Sequence, residues 1–430
     1  MKAGDQVVIT GTGLVCSLGH NTADTWAALL AGETGIKPVR GFDTAGFGHC
    51  VAAQVEDLGP DRLGIHPRDA RIMDLHSFLL LTAGREAFRI ARPVHSGMLG
   101  EEMGFFAGMG MIDYKTDDLM PAVLKSLAPD GSIDCHAFYA SGYQEIHPLW
   151  PLSVLDNITF CQVAIDLGIR GDNSVFCPHA DGGAVAITEG YRNVLEGRSR
   201  LVLAGGVSEK VSPMSIARGL LAGVLKKPSG NGDKGNRPFA DEGKGTVLGE
   251  GAGIVALELR SSADTRGVPY SVMIAGYGHA CEPLEDGPAP TARAIVSAMN
   301  QALRSASLRP EDIDLVIAHG DATYYGDRSE REAVAQVFSG NGVPVFSSKT
   351  ALGHLLAAAP AVDMILGMMI IENGIIPAVI PEAGREDAGQ GHPEFNLVTG
   401  GPLKKNVRKV MINCQSYEGQ CSSVILKSVA

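Results

Sequence analysis

Aromatic residues are scarce in this 430-residue chain, 6% of the total with two tryptophans, and its 36 basic residues are outnumbered by 48 acidic ones. The resulting net charge of −12 excludes an extended nucleic-acid-binding surface, which needs a basic face. It leaves room for a small basic patch facing an acidic partner. The eight cysteines (16, 50, 135, 161, 177, 281, 414 and 421) contain no C-x-x-C pair and lack the regular spacing of a disulfide framework. No apolar signal segment opens the sequence, since MKAGDQVVIT runs directly into a strand. The longest helical apolar run, Leu355 to Ile371, is interrupted by Pro360 and Asp363 and is too broken to span a membrane. Reduced thiols and no anchor give the expectation of a soluble cytoplasmic protein without a membrane partner. Cys177 and His179 are too few and too close together for a structural zinc site, which wants four ligands, so no metal is expected.

What is present is ordinary globular composition, 45% hydrophobic and 20% charged, in a chain long enough for two domains or two fused halves. Gln6 to Thr10 is a β-branched run ended by GTG, and Asn21-Thr22 then cap a helix through TWAALLAGETG. Arg68 to Ala91 is a long amphipathic helix on which His76 is a packed or surface histidine rather than a ligand, and Met103 begins a strand. From Tyr114 to Asn157 the pattern loosens around Trp150. After Arg266-Gly267 the order restarts: the strand YSVMIAGYGHA, a helix over Ala292 to Ala306, the strand DLVIAHG and another helix. The halves are expected at 1–262 and 263–430.

The chain is organised around Gly171 to Ile187, GDNSVFCPHADGGAVAI, a small-residue turn that opens an apolar helix and is followed by the strand RLVLAGG. Such a turn presents main-chain N–H groups and the positive end of a helix dipole, a place for an oxyanion or a thiolate. Gly171, Asn173, Gly183 and Ala186 fit G-x-N-x-x-x-x-x-A-C-x-x-G-x-x-A without a gap, and the cysteine position falls on Ala180. His319, Gly320, Thr323, Asp327 and Glu330 fit H-G-T-x-T-x-x-x-D-x-x-E, with Asp321 at the first threonine. Lys349, Gly353 and His354 fit K-S-x-x-G-H, and His354 opens the following apolar helix. RPFADEGKGTVLGEGAG matches a glycine-rich architectural run, and NCQSYEGQC near the C-terminus stands against N-S-F-G-F-G-G-T-N.

Together these motifs make the chain resemble the β-ketoacyl-ACP synthases, condensing enzymes of the thiolase superfamily, over nearly its whole length. The resemblance implies an α/β thiolase fold, two similar halves in a five-layered αβαβα arrangement. It implies no separate cofactor, the phosphopantetheine arm of an acyl carrier protein serving as substrate carrier. It implies as partners that carrier protein and either a second copy or an active ketosynthase paralogue, with the 114–157 segment crossing the interface; a plain surface excursion is the other reading of that segment. It implies that His319 and His354 donate to a developing enolate, that Lys349 orients or charge-balances them, and that Thr323 and Tyr417, the latter at the gate, line the substrate path. Ala180 stands at the nucleophile position, and a methyl group cannot carry an acyl chain. Cys177, three residues earlier, is either a displaced nucleophile or a buried small hydrophobe. Gln415, Ser416 and Glu418 replace Phe, Gly and Gly of the gating loop; the two glycine replacements restrict it, and Glu418 brings an anion near it. Three functions stay open: a non-condensing chain-length-factor-type subunit, a malonyl-ACP decarboxylase using His319 and His354, and an unconventional condensing enzyme using Cys177.

Overall fold

A computed structural model describes residues 6–48, 50–177, 180–226, 236–240, 245–338, 342–379 and 395–429. Pro178, His179 and the central polar residues 241–244 of the glycine-rich run therefore lie outside the described residues.

The first half contributes strands β1 (Val7–Cys16), β2 (Met103–Met109), β3 (Asn173–Phe176), β4 (Leu201–Glu209) and β5 (Glu250–Leu259). The second contributes β6 (Val272–Cys281), β7 (Leu315–Ile317), β8 (Pro344–Phe346), β9 (Lys409–Gln415) and β10 (Gln420–Ser428). In space the first five run β1-β5-β4-β2-β3 and the second five β6-β10-β9-β7-β8. Pairings repeat as well, two antiparallel steps and then two parallel ones in each half. A single pair, Val8 with Met273, joins the two sheets. A short edge strand, Asn396–Leu397, extends the second one. The expected halves thus follow one topology despite their dissimilar sequences. The expected boundary at 262/263 falls inside the helix Arg260–Arg266, which ends at Gly267 in the left-handed conformation, φ 65°.

Helices α1 (Thr22–Leu30), α2 (Leu75–Ala91), α3 (Asp156–Leu167) and α4 (Gly182–Leu195) belong to the first half, and α5 (Ala292–Ala306), α6 (Tyr324–Phe338) and α7 (Ala359–Asn373) to the second. The Asn21 side chain accepts the Asp24 N–H and starts α1. The pair α2 and α3 covers one outer face and α5 with α6 the other, while α4 and α7 lie between the sheets and touch both. This is the five-layered thiolase arrangement. The GTG that resembles a turn is instead inside β1, where a Cβ on Gly13 would meet the Ala83 carbonyl at 1.9 Å. Glycine is needed there because α2 packs backbone against backbone.

Helix α7 is buried along most of its length, from Ala359 to Met368 and at Ile370. Pro360 does not interrupt it but sits in its first turn, where no N–H partner is lost. The window Leu356–Asn373 is long and apolar enough to cross a membrane by composition, yet 72% of it is buried as the central layer. His354 precedes this helix and pairs with Leu248 in an isolated bridge. Burying Val362, Ile365, Leu366 and Ile370 stabilises the fold by about 1.5–3 kcal/mol each. That offsets the several kcal/mol of desolvating Asp363 only because the acid finds partners, described below.

The long helix expected over Arg68 to Ala91 divides: Pro67–Ala70 forms one turn, and α2 starts only at Leu75, capped by Asp74 and Ser77 in a capping box. His76 is completely buried, with Nδ1 3.1 Å from Glu209 Oε1 at the end of β4 and 3.8 Å from Asp74 Oδ2. Burial opposes its charge, but Glu209 and then Asp74 hold it up at about 9. Glu250, opposite Glu209 across β4 and β5, is pushed up to about 7 by burial and then by the Glu209 charge. Both groups have folded pKa values above their unfolded ones. His76 therefore stabilises fully below about 6.5 and loses that contribution as pH rises through about 9, while the neutral Glu250 carboxyl loses its own as pH rises through about 7. In a chelating buffer the urea midpoint is expected to fall between pH 6 and 9.5. The His76 share is on the order of 3 kcal/mol at ~1.4 kcal/mol per pKa unit. His76→Leu is expected to flatten the upper part of that curve, and an unchanged slope would show the imidazole to be uncharged.

Candidate functional site

The site forms where loops after β7 and β8 meet the turn between β9 and β10. His319 lies just past β7, and both its own N–H and that of Gly320 donate to the Glu330 carboxylate at 2.8 Å. Glu330 comes from α6 and also accepts from Asn413 Nδ2 at 3.2 Å, and Asn413 Oδ1 in turn accepts the Ser423 hydroxyl at 2.8 Å. These bonds tie β7, α6, β9 and β10 into one frame. Ala322 and Leu356 take positive φ values, 68° and 42°. Such conformations cost of order 1–3 kcal/mol each and are held here by the surrounding bonds.

His319 and His354 meet edge to face with ring centroids 4.9 Å apart at 89°. His319 Nδ1 accepts the Gln415 N–H at 3.2 Å, and His354 Nδ1 accepts the Leu356 N–H at 3.3 Å. A nitrogen that accepts a main-chain N–H carries no proton of its own, so this network assigns the proton of each neutral ring to Nε2. His354 Nε2 is buried without a hydrogen-bond partner among the described residues. Burial, followed by the His319 and Lys349 charges, holds the His354 pKa well below its ordinary value, so the ring is neutral. Two N–H donors therefore face one small space.

That space already holds an anion. One ligand atom each from His319, Asp321 and His354 lie within 4.8 Å of one another, and His319 Nε2 is 3.8 Å from Asp321 Oδ2. Burial opposes ionisation of Asp321, but the hydrogen bond and charge of His319, and then His354, outweigh it and keep the carboxyl below the usual range. The nearby Asp327 is driven the other way, its carboxyl raised by burial and then by Asp321. A His-Asp-His trio resembles a metal set, yet a metal would need lone pairs at the two Nε2 atoms, which the main-chain donors at Nδ1 leave protonated. The trio does not fit a cation.

Lys349 is 1% exposed and its Nζ lies 3.2 Å from Asp363 Oδ2, while Asp363 Oδ1 takes the Ser348 hydroxyl at 2.5 Å. Thr323 is committed internally: its hydroxyl and N–H donate to Asp321 at 2.8 and 2.9 Å, and the hydroxyl accepts the Gly326 N–H at 3.1 Å. Tyr417 stacks edge-on to His354 at 5.9 Å, and burial, then Asp321, pushes its phenol well up. Glu418 is exposed and takes the Ser416 hydroxyl, so the anion inside the site is Asp321 rather than Glu418.

Ala180 is buried in the turn before α4. A Cβ on Gly183 would meet the Ala357 carbonyl at 2.3 Å, three residues past His354, which places the elbow against the histidine loop. Asp181 accepts the Ser422 hydroxyl of β10 at 3.0 Å. Cys177 lies at the end of β3, a strand hidden within the apparent turn. It is exposed rather than buried, and its thiol donates to Asp156 Oδ2 at 2.8 Å. Its residue is open to solvent but the sulfur is partly covered, and that partial desolvation and then Asp156 push the thiol up to about 12, the opposite of what an attacking thiolate needs. Sequence reasoning also missed Asp363, whose acid in an apolar run was the available signal, because a buried carboxylate requires a partner.

Two α/β halves with a paired-histidine centre at their junction define a condensing-enzyme architecture, and comparison with known proteins agrees. The family model for the Beta-ketoacyl synthase N-terminal domain matches residues 4–263, and that for the C-terminal domain matches residues 272–381. The chain belongs to the β-ketoacyl synthase family. It is 26% identical over 427 residues to the 3-oxoacyl-[acyl-carrier-protein] synthase 2 of Coxiella burnetii, covering 99% of both chains. The enzyme of the same name from Synechocystis is 27% identical, with 87% of each chain covered. Among solved structures, the ishigamide ketosynthase/chain length factor superposes with a TM-score of 0.84 at 26% identity, over 99% of this chain and 100% of that one. A ketosynthase complex with a type II PKS acyl-carrier protein, AntDE:AntF, shares the fold with a TM-score of 0.83 at 22% identity, again over 99% and 100%.

Proposed function

We propose that this chain is a non-condensing, chain-length-factor-type subunit of a fatty-acid or type II polyketide system, which pairs with an active ketosynthase and shapes its acyl tunnel. The observation that carries the reading is the methyl group of Ala180 at the elbow, where the reaction needs a nucleophile. Asp321 supports it: a buried carboxylate stands where an enolate oxygen would collect the two Nε2–H donors. Support for a partner comes from the excursion between β2 and β3, where the large apolar side chains of Leu124 (61%), Tyr139 (76%) and Ile165 (73%) are exposed, the kind of surface that association covers. The shared chemistry is that of an acyl carrier protein delivering its phosphopantetheine arm to the pair, with no separate cofactor. The eight free cysteines suit a reducing cytoplasm.

A malonyl-ACP decarboxylase is the second reading, favoured by the two Nε2–H groups and Lys349. The test is incubation of the purified chain with malonyl-ACP and an acyl-ACP primer, alone and with a co-expressed ketosynthase, following carbon dioxide and acyl transfer by mass. Silence alone, with a co-purifying ketosynthase whose product length depends on this chain, is the expected result. Carbon dioxide released by the isolated chain and lost on His354→Ala would establish the decarboxylase, and covalent acylation of the isolated chain would overturn both readings.

A further inference from the structure

A second cluster of titratable side chains lies away from the paired histidines, at the end of β4. It comprises Asp74 and His76 at the start of α2 and Glu209 at the last position of β4. One ligand atom of each lies within 4.8 Å of the others, with His76 Nδ1 3.1 Å from Glu209 Oε1 and 3.8 Å from Asp74 Oδ2. Oxygen and nitrogen ligands at about 2.0–2.2 Å around one zinc ion stand roughly 3–4 Å from each other. We propose that Asp74, His76 and Glu209 form a site for a divalent transition-metal ion such as Zn²⁺, with the remaining position open to water.

The alignment of the groups favours a shared central atom over a plain ion pair. His76 is completely buried, and among the described residues neither ring nitrogen makes an aligned hydrogen bond, although Glu209 is only 3.1 Å away. Ligands that converge on a third atom do not point at one another. Asp74 Oδ2 is likewise out of solvent and without a hydrogen-bond partner. Its other oxygen is fixed by the Ser77 N–H at 3.0 Å, the Ser77 hydroxyl at 3.1 Å and the Thr159 hydroxyl at 3.4 Å. Such bonds orient a ligating carboxylate and leave one oxygen free for the ion.

The contrast with the central site is informative. At His319 and His354 a main-chain N–H occupies Nδ1 and keeps the proton on Nε2. No main-chain donor reaches the His76 ring among the described residues, so Nδ1 can present its lone pair. The charge balance points the same way. Two carboxylates, Asp74 and Glu209, face a single imidazole, and Glu250 alongside accepts the Val55 N–H at 2.9 Å. A divalent ion neutralises this excess where one proton does not. The Asp74 and Glu209 side chains keep 19% and 16% of their exposure, so the cluster lies close to the surface.

The test uses the full chain, stripped with a chelator and titrated with ZnCl₂ by calorimetry in buffers of different ionisation enthalpy, with metal content measured after desalting. One Zn²⁺ per chain is expected. His76→Ala and Glu209→Gln are each expected to weaken binding at least ~10-fold, while His354→Ala leaves it unchanged. Co²⁺ should replace Zn²⁺ and give visible absorption that the Glu209→Gln variant loses. Circular dichroism checks that each variant is folded, and Glu209→Gln decides the matter should His76→Ala misfold. Substoichiometric Zn²⁺, or binding equal in the wild type and folded Glu209→Gln, would overturn the site.

Discussion

Ala180→Cys is expected to remain unacylated by acyl-ACP, and Ala180→Cys/Asp321→Thr to acylate at least ~100-fold faster. The thiolate is the nucleophile, so acylation rate follows the ease of forming an anion at position 180. The elbow favours one, since the helix that begins at Gly182 points its free N–H groups toward the turn. Asp321 opposes it: the carboxylate is buried, held ionised, and sits within 4.8 Å of both histidine donors. For scale, two like charges at a separation of about 6 Å and an effective dielectric of ~20 repel by roughly 3 kcal/mol, and a penalty of that order is a factor of about 100 in rate. Removing Asp321 also returns both Nε2–H groups to the substrate oxygen. Intact-protein mass after timed exposure to acyl-ACP reads the result. Equal acylation of the single and double variants would show that Asp321 does not silence this site.

Much of the fold was legible because glycine and histidine motifs at fixed spacing mark it. Gly183, Gly320 and Gly353 fall at the close approaches and the positive-φ turns that the structure requires, and His319 was correctly placed at a strand end. What misled was local. GTG has a turn's composition, but tertiary packing against α2 makes those residues strand. Asn173 to Phe176 is four residues long, too short for its alternation to show against the flanking turn. The site was legible by motif and illegible in charge. Nothing at position 321 announces that its acid stays ionised while Asp327 and Glu330 are raised; that depends on which carboxylate faces the imidazoles. His76 presents the same difficulty: its partner Glu209 is distant in sequence, so the helix pattern alone makes it a packed residue.

Asp363→Ala is expected to lower the unfolding free energy by about 3–5 kcal/mol, because removing one member of a buried ion pair strands the other. Lys349 is 1% exposed, its ammonium stands 3.2 Å from Asp363, and the Ser348 hydroxyl would lose its acceptor too. The pair is not expected to be a large net stabiliser, since desolvating two charges cancels most of their attraction. Lys349→Met/Asp363→Leu should therefore cost less than Asp363→Ala alone, the apolar pair filling the space beside Cys414. The sign of the pH dependence separates a stranded charge from a simple cavity. A lysine without its partner in this layer has a depressed pKa, so the deficit of Asp363→Ala relative to wild type should shrink as pH rises from 7 to 9.5, when the free amine no longer has to be buried charged. A cavity would cost the same at both values. Urea unfolding of the three proteins at each pH makes the comparison. A deficit for Asp363→Ala below about 1 kcal/mol, or a double variant worse than the single one, would show that Lys349 is not held by this acid.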